Sequence, residues 1–118
     1  MSKNRVTHVA YNDCEGEFSL SLEAIEWLAE RGVVSAQKIS KEMESMPSNW
    51  GVDASALGME RHSSLLILCI SELGPERSSG GRSYIRVRKI ESDKYMIRNV
   101  AGIETVLTPE DIIWVEVN

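Results

Sequence analysis

The chain has 118 residues, 42% of them hydrophobic and 26% charged, which is typical of one ordinary globular domain. Its formal net charge of −5 argues against general nucleic-acid binding, which normally needs a basic surface. No apolar segment approaches the length that spans a bilayer, and no signal peptide follows Met1, so the sequence predicts a cytoplasmic protein with no membrane partner. Cys14 and Cys69 are far apart in the chain and are expected to be reduced thiols.

The first half of the chain predicts a strand followed by two helices. Residues 6–11 alternate between two faces, as a short strand does. Ser21 is a good N-cap for a helix over residues 22–31, in which apolar residues recur at helical spacing. Residues 35–46 predict a second, more polar helix, and the turn-rich residues 47–58 predict an excursion on the surface.

A third helix is predicted from Ser63 or Ser64 through Leu73, where a Gly-Pro pair ends it. Residues 65–70 are all apolar, so this helix is expected to be buried on most sides. The surplus of apolar surface predicts that a partner subunit covers part of it and that the protein is a homodimer or a larger oligomer.

The C-terminal part changes to short runs rich in Ile, Val, Tyr and Trp, separated by short turns: residues 83–90, 94–100, 103–108 and 112–117. The sequence therefore predicts an α+β fold in a single domain, residues 1–118. An N-terminal strand and two to three helices would lie on one face of a C-terminal four-stranded antiparallel meander. Residues 33–60 would form a variable helical and loop excursion.

The predicted meander is locally basic although the whole protein is acidic. Arg86 and Arg88 point to the same side by the alternation of a strand, and Arg98 is expected to join them across a hairpin. Three guanidinium groups on one face would suit a phosphate or a carboxylate. The alternative is an ordinary solvated sheet face with a salt bridge to Glu104.

Two further segments contain candidate ligand-binding residues. The polar loop after the first strand holds Asn12 and Asp13, and loops held by rigid elements often carry function. Arg61 and His62 stand immediately before the apolar helix, whose N-terminus attracts anions. We expect this pair to lie near the loop of residues 11–18, and the alternative is a pair that binds local acids.

Catalysis and metal binding have little support in the sequence. Asp13, Cys14 and His62 are the candidates for a small enzyme, but no spacing makes a complete catalytic motif. The cysteines and histidines are too widely spaced for a metal site, and no cofactor is expected. His8 is therefore expected to be a half-buried or edge histidine.

Three parts of the chain carry a family resemblance: Tyr11-Asn12-Asp13-Cys14 with Gly16 and Phe18-Ser19-Leu20-Ser21, then Arg61-His62 with Leu65-Leu66 and Glu72-Leu73-Gly74, and last Tyr95-x-Ile97, Gly102-x-Glu104 and Thr108-Pro109-Glu110-Asp111-Ile112 with Trp114. They resemble the motifs of a family of small uncharacterised proteins encoded by phages, prophages and some large DNA viruses. The chain departs from that family at Glu15 and Glu17, where the family has an aromatic residue and a glycine. The resemblance implies a viral or prophage origin and no established activity.

The expected function is that of a small phage-type accessory protein, a non-catalytic binding protein that captures an anionic ligand such as a nucleotide signal in the cytoplasm of the host cell. Two alternatives stay open. One is a protein inhibitor that occupies a host defence complex through its acidic surface. The other is a small enzyme that uses Asp13, Cys14 and His62.

Overall fold

The computed structural model describes residues 6–43, 51–112 and 115–117. The strands found there are β1 (Val6–Asn12), β2 (Ser19–Ser21), β3 (Gly51–Asp53), β4 (Ile85–Glu91), β5 (Met96–Val100) and β6 (Ile103–Leu107). The α-helices are α1 (Leu22–Glu30), α2 (Val34–Glu42) and α3 (Ser64–Ser78), and short 3-10 helices cover Ala54–Leu57 and Pro109–Asp111. The predicted α+β class is therefore confirmed. Within the described ranges, no helix is long and apolar enough to cross a membrane.

The predicted four-stranded meander is not confirmed. The strands pair two by two and antiparallel, β1 with β4, β2 with β3, and β5 with β6. The described residues of the fourth predicted run, 112 and 115–117, form no strand. The β5–β6 hairpin does not extend the sheet of β4. It packs against β1, and Val106 of β6 contacts the core formed by Val9 and Ile90.

β1 and β4 form the middle layer of the molecule, because alternate residues of each strand enter two different cores. Ala10 and Ile85 lie with the helices in the larger core. Val9 and Ile90 lie on the opposite face, against Val106 of β6. The helices therefore cover one face of the β1–β4 pair, and the hairpin covers the other.

α1 forms where its capping residue and its apolar spacing predict it. The Ser21 hydroxyl accepts a hydrogen bond from the Ala24 amide at 3.1 Å, which satisfies one of the free amides of the first turn. The buried residues recur on one side of the helix: Ala24, Ile25, Trp27 and Leu28. This side packs against α3 and supplies much of the larger core.

The other two helices differ from their predicted limits. α2 begins at Val34, one residue before the predicted start. Its predicted end falls within residues 44–50, which lie outside the described residues. α3 is broken at Gly74, whose φ of +84° is left-handed, and one further turn continues to Ser78. In the predicted excursion, Gly51–Asp53 pairs with β2 as a strand, which the sequence did not predict.

Candidate functional site

Three segments meet at the carboxyl end of β1: the strand end, the segment before α3 and the β5–β6 hairpin. We call this meeting place the junction, and it consists of Asn12, Gly16, Arg61, Gly102 and Glu104. Two nitrogens of the Arg61 guanidinium donate to the two carboxylate oxygens of Glu104, at 2.7 and 3.0 Å. The Glu104 side chain is only 5% exposed, so this ion pair is shielded from water on its acidic side.

Arg61 makes further contacts within the same fold. Its guanidinium lies 3.8 Å from the centroid of the Phe18 ring and donates to the Ala10 carbonyl at 3.3 Å. The Ala10 amide in turn donates to the Arg61 carbonyl at 2.8 Å. The predicted proximity of Arg61 to the loop of residues 11–18 is confirmed. The Arg61 guanidinium, predicted to contact an anionic ligand, is paired with the Glu104 carboxylate in the structure.

Asn12 is fully buried and its polar atoms all have internal partners. Its amide donates to the Glu104 carboxylate at 2.8 Å. Its side-chain nitrogen donates to the carbonyls of Cys14 and Gly102, at 2.8 and 2.9 Å. Its side-chain oxygen accepts from the Tyr84 amide at 2.8 Å. Asn12 was predicted to bind a ligand, and in the structure both polar atoms of its side chain bind the surrounding backbone.

The tip of the β5–β6 hairpin lies directly on the loop that follows β1. The Gly16 amide donates to the Ala101 carbonyl at 3.3 Å. Gly102 has a φ of +92°, and a Cβ atom at this position would overlap the backbone of Gly16. Both the backbone conformation and the close approach require glycine at residue 102.

Arg86 and Arg88 do share one face of β4, as the strand alternation predicts, but each has an internal acidic partner. Arg86 pairs with Asp13 at 3.3 Å, and Arg88 pairs with Asp111 at 3.3 Å. Arg88 also donates to the carbonyl of Val106 in β6. The two arginines and Asp13, all predicted to contact a ligand, thus fasten the loop and the hairpin to β4.

Arg98 lies on a different surface, and its predicted place beside the other two arginines is wrong. β5 pairs with β6 and not with β4, and Arg98 stands opposite Thr105 in that hairpin. Its neighbour Ile97 packs into the smaller core, so Arg98 points outwards by the alternation of the strand. The predicted group of three guanidiniums therefore does not form.

A cavity of about 870 Å³ lies between the start of β1 and one side of α3. Most of its lining is apolar, and the residues that decide its chemistry are Val6, His8, His62, Ser64, Leu68 and Ser71. The serines are seven residues apart, which places them on one side of the helix about 10 Å from each other along its axis. Among the residues that the structure describes, the lining includes no Asp, Glu, Lys or Arg, and its ionisable side chains are the two imidazoles.

His62 belongs to this cavity and not to the junction. Its Nδ1 lies 2.8 Å from the hydroxyl of Tyr95, and the two rings meet edge to face at 80° with their centroids 5.7 Å apart. The predicted joint site of Arg61, His62 and the loop is therefore divided. Arg61 lies at the junction, near the carboxyl end of β1, whereas His62 lies at the cavity, near the start of β1.

Sequence reasoning missed the serines of the cavity wall and did not expect a site at His8. His8 is an exposed residue of β1 that lines the cavity, in keeping with its expected position near an edge. The available signal was the helical spacing of Ser64 and Ser71 with Leu68 between them. That pattern places two hydroxyls on one side of a helix whose residues 65–70 are all apolar.

The geometry does not favour the enzyme alternative. The hydrogen bond recorded for the His62 ring is to Tyr95, and the Cys14 thiol lies 3.4 Å from the carbonyl oxygen of Glu15. Cys69 is fully buried, and this burial raises the pKa of its thiol to about 12. In the part of the chain that the structure describes, no group of three or more His, Cys, Asp or Glu residues is arranged to hold a metal ion.

Comparisons with protein-family models, with curated proteins and with solved structures gave no match. The likeness to phage and viral proteins therefore stays a resemblance of motifs.

Proposed function

We propose that the protein is a binding protein that holds a small anionic molecule of the nucleotide class in the cavity between α3 and β1. The observation that carries this proposal is the chemistry of the lining. The chain has a net charge of −5, yet the described part of the cavity wall has no carboxylate, and the ionisable groups found there are His8 and His62. Imidazoles are neutral or positive, so the wall accepts an anion that most of this acidic surface would repel.

The size and polarity of the cavity agree with such a ligand. Small-molecule sites usually occupy about 300–1,000 Å³ and combine an apolar wall with a few polar groups. Here Ile67 and Leu68 supply apolar surface for a flat base, and Ser64 and Ser71 supply hydroxyls. Ser64 also begins α3, where the backbone amides of the first turn have no partner within the helix and favour negative charge.

The proposal keeps a phage-type setting, in which capture of a nucleotide signal would protect the phage from host defence. Only the resemblance of motifs supports that setting. The cavity supports the binding step.

A thermal-shift titration with adenosine monophosphate and with adenosine tests the proposal. The melting temperature should rise with the concentration of the nucleotide, because a ligand that binds only the folded state stabilises it by mass action. The variant Ser71→Phe, which fills the cavity, should lose the shift. Thr105→Phe, on the outer side of the β5–β6 hairpin and outside the cavity lining, should keep it. If no nucleotide shifts the wild-type melting temperature, or if Ser71→Phe binds as the wild type does, the proposal is wrong.

The homodimer stays a prediction. Two exposed apolar side chains line the cavity: Val6 of β1 is 49% exposed, and Leu68 of α3 is 48% exposed. We expect a second copy to cover part of this surface. Sedimentation velocity at micromolar concentration measures the oligomeric state directly, and a stable monomer would contradict the predicted homodimer.

A further inference from the structure

We infer that Tyr95 is a positioning residue for His62 and that the pair presents a fixed N–H donor, the Nε2 of His62, to an anionic oxygen of a ligand in the cavity. This inference rests on the proposed binding function and deepens it. It names the group that would recognise the charge of the ligand, and it assigns a role to a tyrosine outside the cavity lining.

The geometry places His62 between Tyr95 and the cavity. Nδ1 of the imidazole is 2.8 Å from the Tyr95 hydroxyl, and the edge-to-face ring contact restricts rotation of the imidazole. Tyr95 packs against the smaller core of Val9, Ile90 and Val106, so it is a firm support. His62 lines the cavity and Tyr95 does not, and Nδ1 faces Tyr95. On this inference, Nε2, on the side of the ring away from Tyr95, is the nitrogen that faces the cavity.

The chemistry of the two rings makes Nε2 a donor in either protonation state. In the neutral imidazole, the phenol O–H donates to Nδ1, and the ring proton is then on Nε2. Burial, followed by the charge of Glu60, raises the pKa of Tyr95, so the phenol keeps the proton that it donates. In the imidazolium both nitrogens carry a proton, and Nδ1–H donates to the phenol oxygen instead. Protonation reverses the bond to Tyr95 but leaves Nε2–H unchanged.

A fixed donor selects for an acceptor on the ligand. A phosphate oxygen accepts a charge-assisted hydrogen bond from Nε2–H, whereas a ligand without this group leaves the donor without its partner. Adenosine monophosphate and adenosine differ by the phosphate alone. The affinity ratio of this pair therefore measures what the His62–Tyr95 pair contributes.

The first measurement needs no ligand. Nitrogen-15 NMR of the histidine rings, recorded about one pH unit or more above the ordinary imidazole pKa, should show the His62 ring in a single tautomer, with Nε2 protonated and Nδ1 accepting a hydrogen bond. Tyr95→Phe keeps the aromatic ring and removes the hydroxyl, and it should shift the Nδ1 signal of His62 but not that of His8. A wild-type His62 protonated on Nδ1, or a His62 spectrum that Tyr95→Phe leaves unchanged, would overturn the positioning role.

The second measurement is a calorimetric titration of wild type, Tyr95→Phe and His62→Ala with adenosine monophosphate and with adenosine. His62→Ala should weaken adenosine monophosphate binding by about tenfold or more and leave adenosine binding nearly unchanged. Tyr95→Phe should act in the same direction by a smaller factor, because the imidazole keeps its donor but loses its orientation. If both adenosine monophosphate and adenosine bind and His62→Ala weakens the binding of both equally, the donor role is wrong while the binding function stands. If neither ligand binds the wild type, the proposed function fails for nucleotides, and the NMR result alone decides whether Tyr95 positions His62.

Discussion

The junction and the cavity lie at the two ends of β1, and their polar side chains differ in whether they have partners within the protein. At the junction, the side chains of Asn12, Arg61 and Glu104 bind one another and the backbone around them. At the cavity, His8, Ser64 and Ser71 face an open volume of about 870 Å³. Arg61 and His62 are adjacent in the chain, yet Arg61 belongs to the junction and His62 to the cavity.

This difference shows how to separate structural from functional polar residues in a small domain. Both places are rich in the residue types that sequence analysis associates with binding. A buried polar group needs a partner, and at the junction the fold supplies every one, so the junction is a source of stability. At the cavity the fold leaves groups facing open space, which is where a ligand can bind.

The largest effect on stability should come from Arg61→Ala. This change leaves the Glu104 carboxylate buried without its charge partner, which typically costs about 3–5 kcal/mol of the free energy of unfolding. The matched control is Arg86→Ala, whose ion pair with Asp13 is about half exposed on both sides and should cost less than about 1 kcal/mol. Urea denaturation of both variants gives the difference. If both variants lose the same free energy of unfolding, the junction does not stabilise the fold as its geometry indicates.

A second comparison isolates the contact between the hairpin tip and the loop. Gly102 and Gly32 have nearly the same φ, +92° and +91°, but a Cβ atom at residue 32 would meet no atom within 4 Å. Alanine should therefore cause a similar backbone strain at both positions. Gly102→Ala should cost about 1–3 kcal/mol more than Gly32→Ala because of the overlap with Gly16. Thermal unfolding of the two variants measures this, and a zero difference would contradict the tight docking of the hairpin.

The cavity residues should contribute little to folding. His62→Gln and Ser71→Ala remove groups from an open wall, and each should change the free energy of unfolding by no more than about 0.5 kcal/mol. The contrast with Arg61, one residue before His62, is the test. If His62→Gln lowers the free energy of unfolding as much as Arg61→Ala does, the assignment of His62 to the cavity and of Arg61 to the junction is wrong.

The smallest expected effect on stability concerns Asp111, the carboxylate that pairs with Arg88. Hydrogen bonds from the Thr108 amide and hydroxyl, with Arg88 nearby, lower the pKa of Asp111 below its ordinary value of 3.8. A lowered pKa means that this stabilisation is fully present above pH 3.8 and is lost as the pH falls through the folded-state pKa. Asp111→Asn should therefore be less stable than wild type at neutral pH, and the gap should narrow in acid. Unfolding curves at neutral and acidic pH provide the check, and a gap that widens in acid would contradict it.

Local signals predicted much of the fold. Ser21 predicted the start of α1, and the alternation of residues 6–11 predicted β1. Strand pairing was harder, because the partner of β4 is more than 70 residues away in the chain and no local pattern marks it. The same limit applies to the arginines. Alternation placed Arg86 and Arg88 on one face but could not show which acids would meet them.

The sequence by itself determined the elements that depend on neighbours in the chain: the caps, the apolar spacing of α1 and α3, and the glycine that breaks α3 at residue 74. Only the tertiary structure decided which polar residues bind one another and which face open space. Arg61 and His62 were indistinguishable as candidates until Glu104 was found beside one and Tyr95 beside the other. The physical reason is that the availability of a polar group depends on its partners, and these partners are 43 and 33 residues away in the chain.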